Sequence, residues 1–239
     1  MDLDEEIKKL TKDRTHGSSV ILRRIEDLLF DREMSDPEIR SVLSKLKEIH
    51  SSMTLVHHFV GTISGQKNQL QNTINAYFER WKEIDNKIEK RFLSLTDPVD
   101  KKIMTHSHSG MVLNLLKSLA SKGFNIRVFQ TLSVPGGEGR VSTGELREKG
   151  IDVLMIEDKE IPDFATKCDM AILGVDQFDD YFMVNKIHSS HIISGFSKLD
   201  RPVYALADPR KKVDRLNYAN DIFEKVSLRS VQLILPSIG

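Results

Sequence analysis

The chain has 239 residues, enough for one large domain or two small ones around a substantial core. Hydrophobic residues make up 39% and charged residues 29%, which excludes a disordered or collagenous chain. Basic and acidic side chains number 35 each, and the signs balance on both sides of residue 95, so no basic half is present to grip nucleic-acid phosphates directly.

The one cysteine, Cys168, excludes an intrachain disulfide and a multi-cysteine zinc site. No metal or cofactor is expected: His57-His58 have no third ligand at metal spacing, and no Gly-x-Gly-x-x-Gly fingerprint opens a helix. No apolar run approaches the roughly 20 residues of a membrane span. The start, MDLDEEIKKL, lacks the apolar core of a secretory signal, and a cytoplasmic protein is expected.

Residues 1–95 read as a helical domain. Apolar residues recur at steps of three and four in four sets. They are Ile21, Ile25, Leu28 and Leu29; Ile39, Val42, Leu43, Leu46 and Ile49; Leu55, Phe59 and Ile63; and Leu70, Ile74, Phe78, Trp81, Ile84, Ile88 and Phe92. Each stripe needs a packing partner. Asp36-Pro37 predicts a helix start, with Asp36 as the cap. Trp81 is expected in the core. The polar Leu95-Thr96-Asp97-Pro98 predicts the domain boundary.

Residues 96–239 change period. Short apolar strands are predicted at 102–105, 126–129, 153–156, 170–173, 202–206 and 231–235. Helices are predicted at 111–119, 142–148 (with a Ser142/Glu145 capping box), 162–166 and 184–199. Apolar strands alternating with helices predict a parallel sheet covered on both faces. The fold class is therefore α/β: an N-terminal helical domain followed by a Rossmann-like parallel-sheet domain. Ligands of such sheets sit beyond the carboxyl ends of the strands.

Four strand ends carry chemistry. After the first, Thr105-His106-Ser107-His108-Ser109-Gly110 leads into a helix; small hydroxyls and free N–H groups there suit an anion, or simply cap the helix. After the second, Pro135-Gly136-Gly137-Glu138-Gly139-Arg140 lets backbone approach a ligand and offers a guanidinium, although any tight turn uses the same glycines. After the fourth, Asp176 is a general acid/base or a turn cap. Asn185-Lys186 would open the next helix, and Arg210-Lys211-Lys212 follow the strand at 202–206. Cys168 has no cationic partner in sight and reads as a buried small hydrophobe.

These segments, together with Gly174-Val175-Asp176 and Val184-Asn185-Lys186-Ile187, stand in an order and spacing that resemble one family. It unites the alpha, beta and delta regulatory subunits of translation initiation factor 2B with methylthioribose-1-phosphate isomerase and ribose-1,5-bisphosphate isomerase. Weaker matches are Asp13-Arg14-Thr15-His16-Gly17-Ser18-Ser19 and Ser51-Ser52-Met53-Thr54-Leu55. The resemblance implies self-association through the α/β domain and a phosphorylated small-molecule ligand. It implies phosphate or ligand contacts from Thr105, Ser107, Ser109, Gly110, Gly136, Gly137, Arg140, Asn185, Lys186 and Lys211. It also makes initiation factor 2 or related subunits candidate partners.

The isomerases of that family use a cysteine and an aspartate. Asp176 matches the aspartate, whereas Ser107 stands at the cysteine. Two family arginines are also absent, with Ile49-His50 and Val134 in their places. Serine is a far weaker acid than cysteine. The resemblance therefore implies a non-catalytic regulatory subunit with a sugar-phosphate or nucleotide-phosphate pocket. The alternative is an aldose–ketose isomerase acting on a ribose phosphate, with Asp176 catalytic.

Overall fold

A computed structural model describes residues 3–13, 17–30 and 32–236. Arg14, Thr15 and His16 of the weak match at 13–19 lie outside the described residues. The chain divides into two compact units, Met1–Glu83 and Ile84–Gly239.

The first unit contains helices α1 (Leu3–Lys12), α2 (Ser18–Phe30), α3 (Asp36–Leu46), α4 (Thr54–Ser64) and α5 (Leu70–Trp81). Their stripes meet in one core that includes Ile21, Ile25, Leu29, Ile39, Leu46, Phe59, Ile63 and Ile74. Burying each such side chain contributes about 1.5–3 kcal/mol. The Phe59 ring lies 5.2 Å from Tyr77 and 5.4 Å from Phe78, and Trp81 packs at the margin, partly buried. Of the two adjacent histidines, His57 bonds the His50 carbonyl and His58 the Tyr77 hydroxyl.

The cap of α3 differs from the expectation. Ser35 is the capping residue, and its N–H donates to Glu38 Oε2 at 2.8 Å. Asp36 Oδ1 instead accepts the Leu70 N–H at 3.0 Å, satisfying a free donor in the first turn of α5.

The division after Glu83 falls ahead of residue 95. The stripe from Leu70 to Phe92 is interrupted by a turn at Lys82–Glu83, and α6 (Ile84–Leu93) follows. Ile88 and Phe92 of α6 belong to the core of the second unit, where Phe92 meets Tyr204 edge-on at 5.2 Å.

In that unit the strands are β1 (Lys102–Thr105), β2 (Arg127–Thr131), β3 (Asp152–Ile156), β4 (Met170–Gly174), β5 (Gln177–Phe178), β6 (Phe182–Lys186), β7 (Val203–Leu206), β8 (Phe223–Ser227) and β9 (Gln232–Ile234). Helices α7 (Gly110–Ser121), α8 (Gly139–Arg147), α9 (Ile161–Ala165) and α10 (Ser189–Lys198) lie between them. The main sheet runs β3-β2-β1-β4-β7-β9, every pairing parallel. Cores cover both of its faces. The fold is thus the expected α/β class. From β1 the chain winds outward to β3, then returns to place β4 on the other side of β1. That reversal makes the β1/β4 ends the switch point where such sheets open a crevice.

Two expectations fail here. Residues 184–199 do not form one helix. Phe182–Lys186 is strand β6, antiparallel to β5 and to β8, and His188 turns left-handed (φ 79°) before α10 begins. Asn185 and Lys186 therefore sit on a strand. Nor do Ser142 and Glu145 form a capping box, because α8 begins three residues earlier, at Gly139, and encloses them. Cys168 is buried, as expected, and burial pushes its thiol pKa up to about 12.

Candidate functional site

The end of β1 is held by a buried polar network. His106 Nε2 lies 2.7 Å from the Ile187 carbonyl oxygen, and its Nδ1 lies 2.5 Å from Thr131 Oγ1. A carbonyl can only accept, so Nε2 carries the proton and Nδ1 accepts from the threonine. Burial lowers the His106 pKa to about 4.

Ser107 follows in the left-handed region, φ 64°, a strained choice for a residue with a Cβ. Main-chain bonds hold it there. Its N–H donates to Ser133 Oγ at 2.7 Å, and its carbonyl accepts from Gln130 Nε2 at 3.1 Å and Ser142 Oγ at 3.2 Å. Ser133, also left-handed, and Val134 donate their N–H groups to the two oxygens of Asp158, at 2.9 and 2.7 Å. This pins the start of the glycine loop.

The side chain of Ser107 donates to Glu138 Oε1 at 3.2 Å. The same oxygen pairs with Lys186 Nζ at 2.9 Å, both side chains being largely buried. Gly136 makes room: a Cβ there would stand 2.3 Å from Glu138 Oε2 and 3.4 Å from Lys186 Nζ. Gly174 plays a similar part at the end of β4, where a Cβ would lie 2.5 Å from Ser109 Oγ. Ser109 occupies the cap position of α7, but its hydroxyl makes no capping bond.

Asp176 follows Gly174 by two residues and donates its N–H to the Val184 carbonyl at 2.9 Å, placing it beside β6. Burial raises its carboxyl above the ordinary value; Lys211 and Lys186 pull it down, and Glu138 adds to the rise. Lys211 donates to the Val175 carbonyl at 2.7 Å. Of its basic neighbours, Arg210 makes a buried bidentate pair with Asp208, and Lys212 pairs with the exposed Asp180.

The contacts thus bring Ser107, Gly136 and Lys186 around Glu138, with Ser109 against Gly174, and Asp176 lies in the electrostatic field of Lys211, Lys186 and Glu138. Arg140 is exposed and folds back over Gly137, its Nη1 2.7 Å from the place of a Cβ on that glycine. Thr105 is buried on β1, and Gly110 is the first residue of α7. Strand alternation sends Asn185 and Lys186 to opposite faces of β6, and the buried Asn185 Nδ2 has no hydrogen-bond partner.

Glu138, Ser133 and Asp158 are not among the residues the sequence singles out. For Glu138 a signal existed, since an acid stands inside a loop otherwise suited to anions. For the others none did.

A family model described as the initiation factor 2 subunit family matches residues 5–234. The chain belongs to that family. Among family relatives, a Pyrococcus furiosus protein named as translation initiation factor eIF-2B subunit 2-like is 23% identical over 237 residues, covering 95% of this chain and 82% of that protein. Ribose 1,5-bisphosphate isomerase of Archaeoglobus fulgidus is 24% identical over 197 residues, or 79% of this chain and 61% of the enzyme. The crystal structure of translation initiation factor eIF-2B from Pyrococcus horikoshii OT3 superposes with a TM-score of 0.81 at 19% identity, covering 98% of this chain and 94% of that one. Initiation factor 2 subunit family members similar to this chain therefore include both factor-like and isomerase proteins, and the family alone does not choose between a regulatory and a catalytic role.

Proposed function

We propose that this chain is a non-catalytic, regulatory-type family member whose pocket at the β1 and β4 ends takes a sugar phosphate or a nucleotide phosphate. The observation that carries the reading is Ser107. It stands where the resemblance puts the isomerase cysteine, and its hydroxyl is bonded to Glu138. Cys168 precedes β4, at the opposite end of that strand from Asp176, so its thiol does not replace the missing one. The open donors of the α7 N-terminus, Lys211 and the exposed Arg140 support an anionic ligand.

The same reading carries self-association through the α/β domain, and initiation factor 2 or related subunits as partners. Leu154 and Met155, exposed on the edge strand β3, support the first. A direct nucleic-acid contact is not part of the reading, and the cytoplasm is the proposed compartment. No helix among the described residues is long and apolar enough to cross a membrane.

A second reading, an aldose–ketose isomerase of a ribose phosphate, is favoured by one observation: the raised carboxyl of Asp176, which suits a proton donor. Incubation with ribose 1,5-bisphosphate and with methylthioribose 1-phosphate separates the two. The regulatory reading expects no isomerisation above the rate of Asp176→Asn. Robust turnover that this variant abolishes would replace it with the catalytic one.

A further inference from the structure

We propose that Glu138 determines ligand specificity at this site, admitting singly phosphorylated ligands and rejecting bisphosphates. The proposal rests on the phosphate-binding reading above and concerns how many phosphates the site can balance.

Lys186 is the most deeply placed cation of the cluster, and its charge is already met. Glu138 Oε1 lies 2.9 Å from its Nζ. The carboxylate is held there by the Ser107 hydroxyl and lies against the bare backbone of Gly136. A phosphoryl group arriving at Lys186 would meet the Glu138 carboxylate in a poorly screened setting, where like charges repel strongly. A sugar hydroxyl meets no such penalty, since it can accept from the ammonium and donate to the carboxylate.

The remaining cations are Lys211, which spends one donor on Val175, and the exposed Arg140, whose guanidinium lies over Gly137. With the α7 N-terminus they would balance one phosphate. A second phosphate finds no unneutralised partner. The site therefore fits a sugar monophosphate, with its hydroxyls toward the Lys186–Glu138 pair.

Calorimetric titration with ribose 5-phosphate and with ribose 1,5-bisphosphate, at one fixed salt concentration, tests this on the native chain and on Glu138→Gln. The native chain should bind the monophosphate about tenfold or more tightly than the bisphosphate. The Gln variant should shift that ratio about tenfold toward the bisphosphate. The double variant Glu138→Gln/Lys186→Gln, neutral at both positions, should restore the native ratio. A native preference for the bisphosphate, or a ratio that Glu138→Gln leaves unchanged, overturns the proposal while the phosphate-binding reading stands. Failure of both sugars to bind any of the three proteins overturns the reading, and this proposal with it.

Discussion

His106 donates through Nε2 to the main-chain oxygen of Ile187, tying the end of β1 to the approach of α10. The bond needs a proton on Nε2, and burial disfavours a second proton on Nδ1, so the ring is neutral and Nδ1 accepts from Thr131. Its pKa of about 4 lies below the ordinary 6.5. Between those values the unfolded chain binds more protons, so stability should fall as pH drops from about 6.5 toward 4. The loss attributable to this group is about 3 kcal/mol when complete. Denaturant unfolding at pH 7.5 and 4.5 measures it. His106→Gln should flatten that part of the pH dependence; equal slopes in variant and native protein would assign it elsewhere.

Asp176 has the opposite sign. Its carboxyl is raised by burial, so the folded chain holds the proton more tightly, and stability declines as pH rises through that window. Above the ordinary carboxylate range this burial costs stability. Asp176→Asn, which removes the titrating group, should therefore raise Tm at pH 7. The gain should shrink in acid. A melt at pH 7 that shows a lower Tm for the variant would mean that Lys186 and Lys211 outweigh the burial.

Arg210 and Asp208 form a buried ion pair in the α/β unit, 2.6 Å apart. Arg210→Met strands a buried carboxylate and should cost about 3–5 kcal/mol. Adding Asp208→Asn to that variant should recover most of the loss. A small effect of Arg210→Met in urea titrations would show the carboxylate reaching solvent.

Ser107→Cys should not create an efficient isomerase. The thiol would return to its matched place, but Val134 and Ile49-His50 would still stand where the resemblance puts arginines. Positioning of the substrate would then remain poor. Assays with both sugar phosphates should show at most a trace of turnover, whereas a large gain would identify the missing thiol as the whole deficit.

Light scattering at micromolar concentration should show a dimer, since a chain with no net charge does not oppose self-association. Leu154→Asp should weaken it. A native monomer would remove the α/β domain from the proposed contacts.

Much of the sheet is legible in the sequence because parallel strands buried on both faces are unbroken apolar runs. Ile103-Met104, between Lys102 and Thr105, and Met170 to Leu173, between Asp169 and Gly174, are such runs. Phe182–Lys186 is not legible in that way. Its apolar residues continue into α10 at spacings a helix also produces, and the strand exists because β5 and β8 flank it. Partners so far along the chain leave no local trace. Asp36 misleads for the same reason, since the helix start it serves is α5.

The site divides similarly. Ser107, Asp176 and Lys211 follow from strand ends and a resemblance. Glu138 becomes meaningful once β6 carries Lys186 to it. Its neighbours in sequence suggest a cradle for a negative group, and the folded chain fills that cradle with a negative group of its own.

The main-chain grip on residue 107 has a consequence for how such a protein can change. Its N–H and carbonyl carry three of the bonds that fix its unusual backbone. Whatever side chain stands there is delivered to the same spot without helping to build that spot. A reactive group at this point can therefore be lost by one substitution while the shape persists, so two proteins superposing closely here can differ in whether they transform what they bind.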